Sequence, residues 1–215
     1  MNKCVIISAG EIHDYQKLTR ILNKKDYNNA FFIVCDGGLA HSGELGIKPD
    51  IIVGDFDSCT PDDLSYWKDS CEVIQLPREK DDTDTFYAVK LALERGYDDF
   101  LLLGSMGARF DHAFANVSIL LYLEEENKKA CIIDDYSVMR IVGKKPLYVN
   151  DNVSYFSLLA IAGQASGINI TGAKYPLKNA SLKSDFQLGI SNEVLRGCKA
   201  EISVEKGYLL LVEVM

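Results

Sequence analysis

From Lys3 to Val142 the chain repeats one pattern: a short apolar run, a loop rich in Gly and Asp, and a stretch with helical periodicity. Apolar runs this short suit strands covered on both faces, and the periodic stretches between them supply the crossovers that a parallel sheet requires. The pattern predicts strands at Cys4–Ser8, Phe31–Cys35, Ile51–Val53, Glu72–Leu76, Phe100–Leu103 and Ala130–Ile133. It predicts helices at Asp14–Asn23, Pro61–Lys68, Thr85–Arg95 and His112–Glu126. The third is the strongest, with Phe86, Val89 and Leu93 at helical spacing and Gly96 placed to end it. After Val142 the character changes. Tyr155–Ala160, Gly167–Ile170, Lys199–Val204 and Tyr208–Val214 alternate or run apolar between Gly, Asn, Ser and Pro, as in a small antiparallel β domain. Lys206-Gly207 between the last two reads as a hairpin turn. The fold class is therefore α/β, a parallel-sheet domain over 1–142 followed by a β domain over 146–215, the boundary lying near Gly143-Lys144-Lys145-Pro146.

Composition narrows the function classes. A formal charge of −8 with no basic stripe argues against a nucleic-acid partner, because backbone binding needs clustered Lys and Arg. Six scattered cysteines without a CxxC pair read as free thiols of a reducing compartment, and they show no zinc-ligand spacing with the three histidines. The opening Lys3-Cys4-Val5-Ile6-Ile7 is too short for a signal peptide, and no stretch reaches the length of a membrane span, so a cytoplasmic protein without membrane partners is expected.

The chemistry-bearing residues fall where predicted strands end. Gly54-Asp55-Phe56-Asp57-Ser58, Asp81-Asp82-Thr83-Asp84 and Arg109-Phe110-Asp111-His112 each follow an apolar run. In an open α/β sheet such loops line the ligand crevice. Asp55 and Asp57, two apart, share one face of an extended strand end and suit a metal, although Asp at a strand end also serves in turns. Asp81, Asp82 and Asp84 can cap the next helix, yet carboxylates this dense repel one another and invite a cation, while the helix start offers N–H groups to phosphate. Arg109 offers a planar fork for phosphate oxygens, Asp111 suits a ligand, cap or base, and His112 suits an acid, a base or an orienting group. Asn116 shares its helix face with His112. Asp36-Gly37-Gly38 closes the second strand in the same manner, with Asp36 suited to ribose or metal; Ser8-Ala9-Gly10 is a weaker version after the first.

Taken in order, Asp36-Gly37-Gly38, the Asp55–Ser58 cluster, the Asp81–Asp84 cluster, Gly107-Ala108-Arg109-Phe110-Asp111-His112 and the late Ile190-Ser191-Asn192-Glu193 resemble the bacterial thiamine pyrophosphokinases. The resemblance spans essentially the whole chain. It implies an ATP-binding α/β domain, a C-terminal β-sandwich and a homodimer with a thiamine pocket at the subunit interface. The implied reaction moves the diphosphoryl group of ATP to thiamine, with Mg²⁺ as cofactor. By motif, Asp55, Asp57, Asp81 and Asp84 resemble the metal and substrate carboxylates, and Arg109 and Asp111 the polyphosphate residues. Asp57, Asp84, Arg109 and Asp111 are the implied catalytic set. Gly10, Asp36, Gly37, Gly38, Ser58, Thr83, His112 and Asn116 fall on the ATP side, and Ser191 and Asn192 on the thiamine side. Two positions depart from the family pattern: Ala108 stands where a second Gly is common, and Leu39-Ala40 replaces the usual Ala-Asn. The rival readings are a Mg-dependent phosphohydrolase using Asp55 as nucleophile and a non-catalytic nucleotide sensor.

Overall fold

A computed structural model describes residues 2–24, 27, 29–56, 67–186 and 188–215. The chain divides into two compact units, 1–135 and 136–215. The change of sequence character comes after Val142, whereas the division by contacts falls earlier.

In the first unit the order is β1 (Lys3–Ile7), α1 (Tyr15–Lys24), β2 (Phe31–Cys35), a 3₁₀ turn at Asp36–Gly38, α2 (Leu39–Glu44) and β3 (Ile51–Gly54). There follow β4 (Glu72–Gln75), α3 (Asp84–Glu94), β5 (Asp99–Leu103), α4 (Phe110–Glu125) and β6 (Lys129–Ile133). Parallel pairing gives the order β4-β3-β2-β1-β5-β6. The chain thus starts in the middle of the sheet and winds outward in both directions, which creates a switch point where ligands bind in such folds. Cys4–Ile7 of β1 and all of β5 are buried, as expected of central strands covered on both faces. The short α2 has too few turns to show periodicity and escapes a pattern reading. Of the helix expected at Pro61–Lys68, residues 61–66 lie outside the described residues.

The second unit packs two antiparallel sheets over one core. β13 (Leu209–Val214) pairs with both β7 (Ser137–Val142) and β9 (Tyr155–Ala160). The other sheet runs β11 (Leu177–Lys183), β10 (Gln164–Thr171), β12 (Lys199–Ser203), β8 (Leu147–Asn150). Val142, Phe156, Leu158 and Leu211 from the first sheet bury against Val149, Ile168, Leu182 and Ile202 from the second. The hairpin expected at Lys206-Gly207 does not form, because β12 and β13 belong to different sheets. Lys206 instead exchanges backbone hydrogen bonds of 2.9 and 3.1 Å with Ser166 of β10, and Gly207, at φ +82°, crosses between sheets with its Cα pressed against Gln164. Among the described residues no helix is long and apolar enough to cross a membrane, and the five described cysteines are free.

Candidate functional site

The loops leaving β1, β2, β3 and β5 meet at the carboxyl edge of the parallel sheet because glycines let their backbones touch. A Cβ on Gly10 would stand 2.1 Å from the Met106 carbonyl oxygen and 2.5 Å from that of Gly104, so the β1 and β5 loops interlock only through this glycine. A Cβ on Gly54 would meet the Asp36 Cβ at 2.4 Å, which sets Asp36 against the end of β3 where Asp55 follows. Gly37 faces Ala9, and the buried Gly38 faces the Ile7 carbonyl. Phe56, the next residue after Asp55, is buried at φ +56°. The extended geometry that would place Asp55 and Asp57 on one face therefore ends at β3. Asp57 and Ser58 lie outside the described residues.

These loops and the first turns of α3 and α4 enclose a cleft of about 550 Å³, bordered by Gly10, Gly37, Arg78, Asp84, Arg109 and Asn116 among others. That volume lies within the range of small-ligand sites. At its α3 side, Thr83 caps the helix, its Oγ1 accepting from the Phe86 N–H at 3.2 Å. Asp84 opens the helix. Its Oδ1 is buried and has no hydrogen bond, although Lys80 Nζ lies 2.9 Å away in an ion pair without hydrogen-bond alignment. Lys90 pairs with Asp82, so two lysines offset much of the repulsion that the acidic run would otherwise carry. Asp81 is exposed and borders a separate groove of about 410 Å³ along Phe86 and Tyr122 rather than the cleft.

Beneath the carboxylates, burial pushes the Cys35 thiol up to about 12, and the negative charges of Asp84 and Asp36 add to the shift. Hydrogen bonds from Ser8 and Thr85 oppose it. Ser8 and Thr85 are themselves joined at 2.8 Å in the buried floor. At the α4 side, Arg109 holds Asp111 through contacts of 2.6 and 3.3 Å. The guanidinium keeps the Asp111 carboxyl below the usual carboxylate range. Both groups are exposed, so a phosphate can compete for the fork. His112 borders the cleft, exposed. Asn116 is buried, and its amide donates to the Ser105 carbonyl at 2.8 Å, bracing the loop.

Two cleft residues, Arg78 and Lys80, were not signalled by the sequence, nor was His41 behind the wall. The charges on Arg78 and Lys80 were visible, but nothing in the local pattern directs them to a loop edge shared with Asp84. In the second unit, Ser191 sits exposed at φ +57°, its N–H donating to Ser157 Oγ at 3.0 Å. The buried Asn192 accepts from the Tyr175 and Glu193 N–H groups and donates to the Tyr175 carbonyl at 2.8 Å. Its side chain thereby shapes the segment and is not free for a ligand.

Among the described residues no three His, Cys, Asp or Glu side chains converge as a metal cage. The donor set instead suits Mg²⁺, which takes one or two carboxylates together with substrate phosphates and water. The buried oxygen of Asp84, without a hydrogen bond and 2.9 Å from Lys80 Nζ, is a donor of that kind.

A switch-point cleft lined by carboxylates and an arginine, carried in one chain with a β-sandwich, places the protein among α/β enzymes that handle phosphorylated substrates. The catalytic domain of the thiamin pyrophosphokinases matches residues 22–132, and their vitamin B1 binding domain matches residues 146–209. The chain belongs to this family, and it is an enzyme of ATP-dependent thiamine diphosphorylation. It is 28% identical over 187 residues to thiamine pyrophosphokinase of Bacillus subtilis (strain 168), covering 86% of this chain and 87% of that protein. The crystal structure of the Bacillus subtilis thiamine pyrophosphokinase superposes with a TM-score of 0.85 at 25% identity, covering 100% of this chain and 99% of that one. Thiamin pyrophosphokinase from Candida albicans shares the fold, with a TM-score of 0.80 at 17% identity over 100% of this chain and 89% of that one.

Proposed function

We propose that the cleft at the carboxyl edge of the parallel sheet binds Mg-ATP and that diphosphoryl transfer to thiamine takes place there. The observation that carries this reading is Asp84 Oδ1, a buried carboxylate oxygen without a hydrogen bond at the start of α3, facing the same cleft as Arg109. Lys80 lies 2.9 Å from this oxygen without hydrogen-bond alignment, so a divalent cation can compete for the carboxylate.

In this reading Asp84 holds Mg²⁺; Asp55, Asp57 and Asp81 join it on the strength of the family motif. When bound, the ion screens the polyphosphate and stabilises the charge of the transferring group. Arg109 leaves Asp111 to grip the polyphosphate with its fork. Asp111, released, orients the thiamine hydroxyl as it attacks the β-phosphorus; AMP departs, and the hydroxyl proton passes to a carboxylate. Such transfers rest on positioning and electrostatics, which this cleft supplies. Gly10 and Gly37 border the cleft where the nucleotide lies, Asp36 and Gly38 join the ATP side on the strength of the family motif, and Thr83, His112 and Asn116 frame the rest. The 190–192 segment of the β-sandwich forms the thiamine side, Ser191 presenting its hydroxyl and Asn192 shaping the loop. The protein acts as a homodimer in the cytoplasm. Exposed Phe186, Leu188 and Ile190, beside that segment, support self-association.

The test is to incubate the protein with Mg-ATP and thiamine and separate the products. Thiamine-dependent AMP with thiamine diphosphate is expected. ADP with thiamine monophosphate would overturn attack at the β-phosphorus, and phosphate release without thiamine would favour the hydrolase.

A further inference from the structure

Behind the cleft wall runs a hydrogen-bond relay that neither the family motifs nor the proposed chemistry accounts for. The Tyr15 hydroxyl lies 2.8 Å from His41 Nδ1, and His41 Nε2 lies 2.7 Å from the Gly10 carbonyl oxygen. A carbonyl can only accept, so Nε2 carries the proton and donates to Gly10, while Nδ1 shares a hydrogen bond with the Tyr15 hydroxyl. Both side chains are partly buried, one on α1 and the other on α2. They converge on one peptide unit, Gly10–Glu11.

That peptide is held from its other sides as well. The Gly10 N–H donates to the Gly104 carbonyl at 2.6 Å, and the room for a Gly10 side chain is filled by the Gly104 and Met106 carbonyls. A planar trans peptide directs its N–H opposite to its carbonyl. With the Gly10 carbonyl fixed on His41, the Glu11 N–H points away from His41. Glu11 borders the cleft, its nitrogen 2.9 Å from where a Gly107 Cβ would stand. Among the described residues this N–H has no hydrogen-bond acceptor. A fixed backbone donor without an acceptor, bordering the same cleft as Arg109, suits an anionic oxygen.

We infer that the Glu11 N–H donates to a phosphate oxygen of the nucleotide and that His41 and Tyr15 are the positioning residues that aim it. This inference rests on the reading of the cleft as the Mg-ATP site. Neither side chain touches substrate; each acts through the orientation of one peptide. The relay therefore contributes to nucleotide binding and leaves thiamine binding alone.

The experiment compares wild type with Tyr15→Phe, His41→Leu, His41→Gln and Arg109→Ala, measuring KM for Mg-ATP and for thiamine, kcat, and Mg-ATP binding by calorimetry. His41→Leu is expected to raise KM for Mg-ATP about tenfold, the worth of one well-aligned hydrogen bond to a charged group, with KM for thiamine unchanged. Gln, whose amide reaches the same carbonyl, recovers most of the loss, and Tyr15→Phe falls between. In ¹⁵N-labelled protein the Glu11 amide resonance shifts with Mg-ATP and with inorganic triphosphate but not with thiamine. If folded His41→Leu and Tyr15→Phe bind Mg-ATP as wild type does while Arg109→Ala does not, the relay's role is overturned and the cleft stands. If Arg109→Ala also binds normally, the cleft reading itself fails. Equal losses for both substrates in His41→Leu, or a Glu11 resonance indifferent to triphosphate, would reduce the relay to a structural brace.

Discussion

At the scale of single residues, the same side chain type does unlike work according to what reaches it. Asp82 and Asp84 are neighbours in one acidic run, yet Asp82 accepts a hydrogen bond from Lys90 while the buried oxygen of Asp84 meets Lys80 without hydrogen-bond alignment. Asp84→Asn should therefore lower turnover on the order of 10²-fold, as loss of a preorganised charge typically does. It should shift Tm little, because the Lys80 pair it breaks is partly exposed and worth at most about 1 kcal/mol. Steady-state kinetics beside a melting curve check both halves, and near-wild-type turnover would remove Asp84 from the mechanism. Cys35 gives a second prediction. Its folded pKa is raised from 9.0 to about 12, so the thiol's contribution to stability is intact below pH 9 and is lost as pH rises from 9 toward 12, where the unfolded chain ionises first. The slope approaches about 1.4 kcal/mol per pH unit for one thiol. Denaturation midpoints at pH 8 and pH 10.5 should differ less in Cys35→Ala than in wild type. The acidic and glycine loops were legible because their residue types have few uses at a strand end. His41 was not: its value lies in the Gly10 carbonyl, 31 positions away in sequence.

At the scale of elements, period and punctuation carried most of the reading. β2 and β9 match their expected spans, and the other predicted strands of the parallel sheet differ only at their ends. Thr83 caps α3 and Gly96 follows it at φ +84°, the left-handed stop that the sequence position suggested. What failed was pairing. Lys206-Gly207 has hairpin chemistry, but partner choice is a tertiary matter: β13 finds β7 and β9, and β12 finds β10 and β8. β7, β8 and β11 were missed: β11 is half-exposed and broken by Lys and Asn, whereas the apolar β7 and β8 flank Gly143-Lys144-Lys145-Pro146, which reads as a domain boundary. Backbone conformation also makes one substitution act with opposite signs. Gly96→Ala forces a side chain into the left-handed region, at a cost of about 1 kcal/mol or more, although nothing crowds the site. Gly43→Ala, in the exposed helix α2 with equally open space, should stabilise by roughly 0.5–1 kcal/mol through the helix preference of alanine. Each should move Tm by a few degrees, downward for Gly96 and upward for Gly43. Shifts of the same sign would contradict the conformations assigned to these two turns.

At the scale of the whole molecule, the α/β unit and the β-sandwich each have a core of their own, and the sandwich exposes more apolar surface than its own fold can cover. Phe186, Leu188 and Ile190 are 61%, 50% and 44% exposed, at alternate positions of one segment leading directly into Ser191 and Asn192. Large apolar side chains grouped in this way mark interaction surfaces. The sequence could not announce this surface, since the same residues would read equally well as the inward face of a strand. If a second copy covers them and the thiamine side is completed there, dimerisation and thiamine affinity are linked. Leu188→Asp with Ile190→Asp should then convert a dimer into a monomer in sedimentation equilibrium and raise KM for thiamine at least tenfold, since a carboxylate at each buried contact costs several kcal/mol of association. Mg-ATP binding, which rests on the α/β cleft, should stay as it was. A wild-type monomer, or a monomeric variant with unchanged KM for thiamine, would separate the substrate site from the subunit interface and leave the exposed segment to another partner.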